Sequence, residues 1–213
     1  MAPDSAQAVT ARAEVLAKVG LKHVADPYFL CTEQHCAVYK GVSGEAPTTN
    51  TAVEATRGEA AFDASDRLVD SVYSAVCGGH TEHNEIVWGG VPNQALRGVP
   101  DLLPGKPATP SPGKDLKGFL TTEGAYACRL STFAAPTKFR WEKRFTAKEV
   151  DDKLASFSVG RVMAMTVSER GVSGRARLLQ VSGDLDESMG IVDAGDFATV
   201  PCQFKRRPAH CAA

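Results

Sequence analysis

Apolar and polar positions recur with different periods along this chain, and each change of period marks a new element. From residue 4 to 19, Val9, Ala13 and Leu16 stand at helical spacing among alanines. Asp4 or Ser5 is placed to cap that run and Gly20 to stop it, so the pattern predicts a helix. Asp26-Pro27 then marks a turn, and the polar run 43–51 a loop. A second, shorter helix is expected from Thr51 to Arg57, with Ala52, Val53 and Ala55 on it and Gly58 closing it. Ala60 to Phe62, a turn at Asp63–Asp66, and Leu68 to Tyr73 read as a β-hairpin. The second strand runs on into Ser74-Ala-Val-Cys77-Gly78-Gly79-His80-Thr81-Glu82. Its Gly-Gly step permits a tight turn that leaves polar side chains at a strand end.

The second half begins with a different texture. Residues 98–113 carry Pro100, Pro104, Pro107, Pro110 and Pro112 with glycines between them, which predicts a surface excursion or linker outside the core. Structure resumes at Leu116 to Leu120 and around Phe139 to Trp141. Thr146 to Leu154 has helical spacing, with Thr146 as N-cap and Glu149 as its capping-box partner. The clearest β signal of this half lies in Arg161–Ser168 and Arg175–Val181, two strands joined by a hairpin loop at Glu169–Gly174. From Gly183 onward no period is visible, and a poorly ordered tail over 183–213 is expected. The fold class is therefore mixed α+β: helices packed on antiparallel strands in one domain over residues 1–182, with a Pro-rich surface excursion.

Length and composition change this picture little. A chain of 213 residues can bury a real core, and a net charge of −1 with scattered Lys and Arg shows no basic stripe for nucleic acid. The Lys205-Arg-Arg207 run reads as a solvated tail. No apolar run reaches the ~20 residues needed to span a bilayer. The first twelve residues are too polar for a signal-peptide core, which taken alone predicts a cytoplasmic chain. Six cysteines are too sparse for a disulfide scaffold.

Candidate chemistry gathers in two places. In Tyr28-Phe-Leu-Cys31-Thr-Glu-Gln-His35-Cys36-Ala-Val-Tyr39, soft ligands lie between apolar residues suited to burying them. Were the run helical, Cys31 and His35 would share a face at i, i+4. A structural zinc takes four N or S ligands, and His23 is at hand as the fourth. The spacing His23-x7-Cys31-x3-His35-Cys36 is no standard finger, so a metal site and a pair of half-buried core cysteines both remain open. The second place is Cys77-Gly-Gly-His80-Thr-Glu-His83-Asn-Glu85. Here Cys77 is either a nucleophile with His80 or His83 as base, or a small buried residue beside a turn. Trp88 and Trp141 could line a sugar groove or pack at its rim.

Together these pieces resemble a known family. Gln7-Ala-Val-Thr-Ala-Arg12 is similar to the "AQAVAARTYAL" helix of the stage II sporulation protein D and amidase enhancer LytB family. Cys31 to Gly41 resembles its "C…HCQVYxG" segment, and Ala52 to Glu59 its "AVxxTxGxVL" segment. Tyr73 to Glu82, followed by Trp88, resembles "YxSxCGGxTE…W". Phe139-Arg-Trp141-Glu142 and Ser173-Gly174-Arg175 extend the likeness more weakly.

The resemblance implies lytic transglycosylation of bacterial peptidoglycan glycan strands, with a cell-wall amidase as a further partner. In that chemistry one glutamic acid of raised pKa protonates the leaving oxygen, and the sugar's own 6-hydroxyl closes a 1,6-anhydro end. The family's glutamate precedes the Ala-Gln-Ala-Val helix, and no glutamate stands ahead of Gln7 here. No catalytic residue is therefore assigned, and a truncated start is expected. The alternatives are a non-catalytic module that binds glycan or stimulates an amidase, and a wall hydrolase dependent on Cys77. Some members hold zinc with two cysteines and two histidines, which implies His23, Cys31, His35 and Cys36 as ligands of a structural zinc. Gln7, Arg12, Tyr73, Ser74, Cys77, Gly78, Gly79 and Thr81 fall on segments that line the family's groove and become the expected glycan contacts. The family works outside the cytoplasm, so an extracytoplasmic location in the periplasm or cell envelope is implied.

Overall fold

The structure, a computed structural model, describes residues 3–33, 36, 38–105, 111–122, 124–132, 135–185 and 190–193. It is mixed α+β, with helices and an antiparallel sheet, as the hydrophobic periods predict. Two compact units divide it, Met1–Tyr73 and Ser74–Ala213.

In the first unit, α1 (Pro3–Lys18) packs on α2 (Pro47–Ala55). Small side chains allow that approach: Ala13 is fully buried, and Ala52 and Thr56 nearly so. α2 begins four residues before the expected Thr51, because Pro47 is pre-set for the first helical turn. The Thr49 hydroxyl also satisfies the Ala46 N–H there. At the other end of α2, Arg12 of α1 donates to Thr56 O at 2.7 Å, Glu59 O at 2.5 Å and Val53 O at 3.2 Å. A guanidinium thus caps carbonyls that a helix terminus leaves without partners. The expected hairpin forms in minimal shape, with one bridge between Phe62 and Leu68. Asp63 closes its turn by accepting the N–H groups of Arg67 and Ser65, which hold its carboxyl below the usual carboxylate range.

Among the described residues, the second unit has two apolar clusters. Val76, Phe119, Tyr126 and Phe139 form one, with Leu102, Leu116 and Cys128 packed against it. Leu154, Val159, Leu179 and Val181 form the other. The helices are α3 (Asn84–Trp88), α4 (Leu116–Thr121), α5 (Ala127–Leu130) and α6 (Ala147–Leu154). α6 carries the expected capping box, Glu149 N–H donating to Thr146 Oγ1 and Thr146 N–H to Glu149 Oε2. Strands β1 (Val162–Arg170) and β2 (Ala176–Gly183) pair antiparallel, with Val167 opposite Leu179.

Three segments show more than the sequence expectations gave. The stretch before and after the cysteines, residues 21–33 and 38–40, forms neither helix nor strand, and Phe29, Val38 and Tyr39 are each more than 60% exposed. These side chains lie outside the core, so no apolar face fixes a helix there. The start of the Pro-rich stretch is stitched into the second unit. Pro100 bridges His80, Leu102 bridges Tyr126, and Leu102 and the buried Pro112 pack inward. Proline depletes donors, yet the Asp101 and Leu103 N–H groups of this segment still reach Gly79 O and Ala125 O. Residues 106–110 lie outside the described residues. Beyond Gly183 there is a third strand, β3 (Gly190–Asp193), on the far side of β2, with Leu179 opposite Val192. The rest of the expected tail, 194–213, lies outside the described residues.

Candidate functional site

The cysteine loop does bring its ligand atoms together without a helix. One donor atom each from His23, Cys31 and Cys36 lies within 4.8 Å of the others. Cys36 is 2% exposed, and its Sγ stands 3.3 Å from His23 Nε2. The other ring nitrogen, Nδ1, is 2.7 Å from Asp26 Oδ2. A carboxylate that takes the Nδ1–H leaves the lone pair on Nε2, facing the sulfur; metal-binding histidines are oriented in this way. The hydrogen bonds to Asp26, then to Cys31, push the His23 pKa upward. His23 holds a left-handed φ of 53°, uncommon without a glycine, and its ring lies 4.8 Å from that of Tyr28. Backbone bonds from Cys36 to Glu33 O and from Tyr39 to Thr32 O close the loop. Two thiols and an imidazole nitrogen are the donor set of a tetrahedral soft-metal site, so these residues fit a metal. His35, the fourth expected ligand, lies outside the described residues. Asp26 was not foreseen; its signal was only its distance of three residues from His23.

The Gly-Gly turn is the second assembled feature. Gly78 and Gly79 have φ of 66° and 98°, the left-handed region that glycine permits. A side chain at Gly79 would meet the Tyr126 ring at 3.0 Å. The turn's carbonyls are gripped by two arginines. Arg175 donates to Cys77 O and to His80 O, and Arg140 to Gly78 O. Arg140 also lies over the rings of Phe139 and Phe119, at 4.3 and 4.9 Å from their centroids. Thr81 locks onto Val99: its N–H and its hydroxyl both donate to Val99 O, and the hydroxyl accepts the Val99 N–H. Glu82 accepts from the N–H groups of His83, Val172 and Ser173 and from the Ser173 hydroxyl at 2.6 Å, which fixes the loop between β1 and β2. Arg140 and Arg175 sit in the weaker Phe-Arg-Trp and Ser-Gly-Arg motifs, whose likeness was visible while their target was not.

The remaining expected contacts divide by exposure. Gln7, Tyr73, Ser74 and Thr81 are exposed. Arg12 is occupied at the end of α2, as described above. Cys77 is buried, and its Sγ lies 3.1 Å from that of Cys128 on α5. The hydrogen bond with Cys128, and then burial, push the Cys77 thiol up; the same bond draws Cys128 down. A cysteine nucleophile needs the opposite shift.

What these observations define is a class: an α+β protein whose first unit carries a thiol–imidazole cluster able to hold a metal. Residues 4–62 match the model of the SpoIID family, stage II sporulation protein, in agreement with the motif resemblance. The matched span covers α1, the cysteine loop and α2. No curated protein and no solved structure matches the chain. Among the described residues, no helix is long and apolar enough to cross a membrane.

Proposed function

We propose that this is a peptidoglycan-directed protein of the lytic transglycosylase type, acting on bacterial cell-wall glycan strands outside the cytoplasm. The observation that carries the reading is the coincidence of the family segment, 4–62, with an assembled metal-donor cluster inside it. His23, Cys31 and Cys36, with His35, would hold a structural zinc that pins their loop. Zinc there supplies a rigid cross-link and takes no part in proton transfer. Exposed Gln7, Tyr73, Ser74 and Thr81 are the proposed glycan contacts, while Cys77, Gly78 and Gly79 hold the turn that leads to Thr81 and Arg12 caps the end of α2. None of the residues in this chain is proposed as the catalytic acid.

Incubation with glycan strands stripped of stem peptides tests the reading. Strand capture lost in Tyr73→Ala is expected, and release of 1,6-anhydro ends would add cleavage to binding. Capture without new ends favours the second reading, a module that binds glycan or stimulates a wall amidase. Absence of capture overturns both. The Cys77-dependent hydrolase is disfavoured by the upward shift of its thiol, and wall hydrolysis abolished by Cys77→Ser yet intact after chelation would restore it.

A further inference from the structure

We propose that Cys77 and Cys128 form a redox-modification site, closing to an intrachain disulfide that staples the Gly-Gly turn to α5. The two sulfurs are 3.1 Å apart, and the Cys77 N–H points at Cys128 Sγ from 3.5 Å. Their backbones are already held in register by Asp101, whose N–H donates to Gly79 O at 3.0 Å. Asp101 O accepts the Ala127 N–H at 3.1 Å, and Asp101 Oδ2 the Cys128 N–H at 2.8 Å. One residue thus fixes both sides of the pair before any bond forms.

A metal is the competing use of these groups, because Cys77, Asp101 and Cys128 each offer a donor atom within 4.8 Å of the others. Two thiolates on a tetrahedral zinc, with Zn–S near 2.3 Å, stand about 3.8 Å apart. The observed separation is shorter than that, and Asp101 already spends a carboxylate oxygen on the Cys128 N–H. Among the described residues no fourth donor joins the three. The cluster is therefore read as a dithiol.

The oxidant is a small-molecule disulfide. Cys128, the less buried and more acidic thiol, attacks one sulfur of that disulfide as its thiolate and expels one small thiolate, leaving a mixed disulfide on Cys128. Cys77 then gives its proton to the expelled thiolate and attacks Cys128 Sγ, releasing the second small thiolate, which takes up the proton left by Cys128. Two protein thiols lose two protons and two electrons, and the external disulfide is reduced to two thiols. The bond closes a loop whose ends are 51 residues apart and restrains the unfolded chain. It also removes Cys77 as a nucleophile, and it holds whether or not the chain cuts glycan.

The test uses the full chain, reduced, freed of reductant and exposed to excess oxidised glutathione at mildly alkaline pH. Acid quenching, alkylation, digestion and mass spectrometry follow. A joined Cys77–Cys128 peptide, lighter by two hydrogens than the separate thiols, is expected. In Cys77→Ser, Cys128 should instead retain one glutathione. The wild-type chain should also melt several degrees higher oxidised than reduced, a difference absent from the Cys77→Ser, Cys128→Ser double variant. Recovery of both residues as alkylated thiols overturns the proposal. So does protection of both by zinc alone, reversed by a chelator, which would assign the cluster to a metal.

Discussion

Arg12 shows how a side chain's role depends on where it ends. It lies on a motif whose family counterpart borders a glycan groove, yet its guanidinium is engaged by three carbonyls at the end of α2. Replacement by alanine strands those acceptors and should cost about 2–3 kcal/mol, read as a lower urea midpoint. Lysine, with a point charge and no planar fork, should recover only part. Gly79 carries a second prediction at this scale. Alanine there would force a methyl group against the Tyr126 ring at a φ of 98°. The combined clash and strain should destabilise the second unit by ~2–4 kcal/mol, measured by denaturant unfolding. That Gly-Gly forms a tight turn was legible from residue type alone. The ring that makes Gly79 irreplaceable sits 47 positions away in sequence, where no local signal points back to it.

Elements were read best where a local rule decides them. α6 appears where cap and period place it, with the Thr146–Glu149 box, whereas α1 follows its period but begins at Pro3, so that Asp4 and Ser5 lie inside its first turn and do not cap it. β1 and β2 pair as the expected antiparallel hairpin around a glycine-containing loop, with register shifts near both ends of β1. α3 was not foreseen; its five residues are too few for a period. It is held by ionic and polar contacts instead: Arg97 grips both carboxylate oxygens of Glu85 and also Asn84 Oδ1. This pairing draws the Glu85 pKa from 4.5 to about 2. A depressed carboxylate contributes stability that is fully present above its unfolded pKa and lost as pH falls through the folded one. Acid unfolding between about pH 4.5 and 2 should therefore shed that contribution, and Arg97→Gln should flatten this part of the stability–pH curve.

At the scale of the whole molecule, each unit solves the problem of a small core differently. The first unit combines small buried side chains with a cysteine loop whose aromatic residues are exposed, so a metal held at the proposed site would supply the loop with a cross-link that apolar packing does not. Zinc removal by a chelator should destabilise it by roughly 3–4 kcal/mol when the free metal stands 100- to 1,000-fold above its dissociation constant. Calorimetry with and without zinc checks this, and a melting temperature indifferent to metal would remove zinc from the account. His23→Ala should abolish the zinc dependence; Asp26→Asn, which keeps the ring but weakens its orientation, should lower affinity about 10- to 100-fold. The second unit relies on aromatic packing capped by Arg140, and on carbonyls of one turn held by arginines from distant segments.

The sequence by itself determined the α+β class, the helices α1 and α6, the central hairpin, the glycine turn and the ligand types of the cysteine loop. Each depends on contacts within a few residues, which propensity, capping and periodicity encode directly. Only the tertiary structure decided that the loop is not helical, that Asp26 orients His23, that the Pro-rich stretch joins the core through Leu102, and that β3 follows Gly183. It also brought Cys77 to Cys128 and set Arg140 and Arg175 on the turn. The Cys77, Arg140 and Arg175 pairings join positions from 51 to 98 residues apart, while the Leu102, Asp26 and β3 contacts are of shorter range. Long-range proximity is fixed by the packing of whole elements, and no local pattern in the chain carries it.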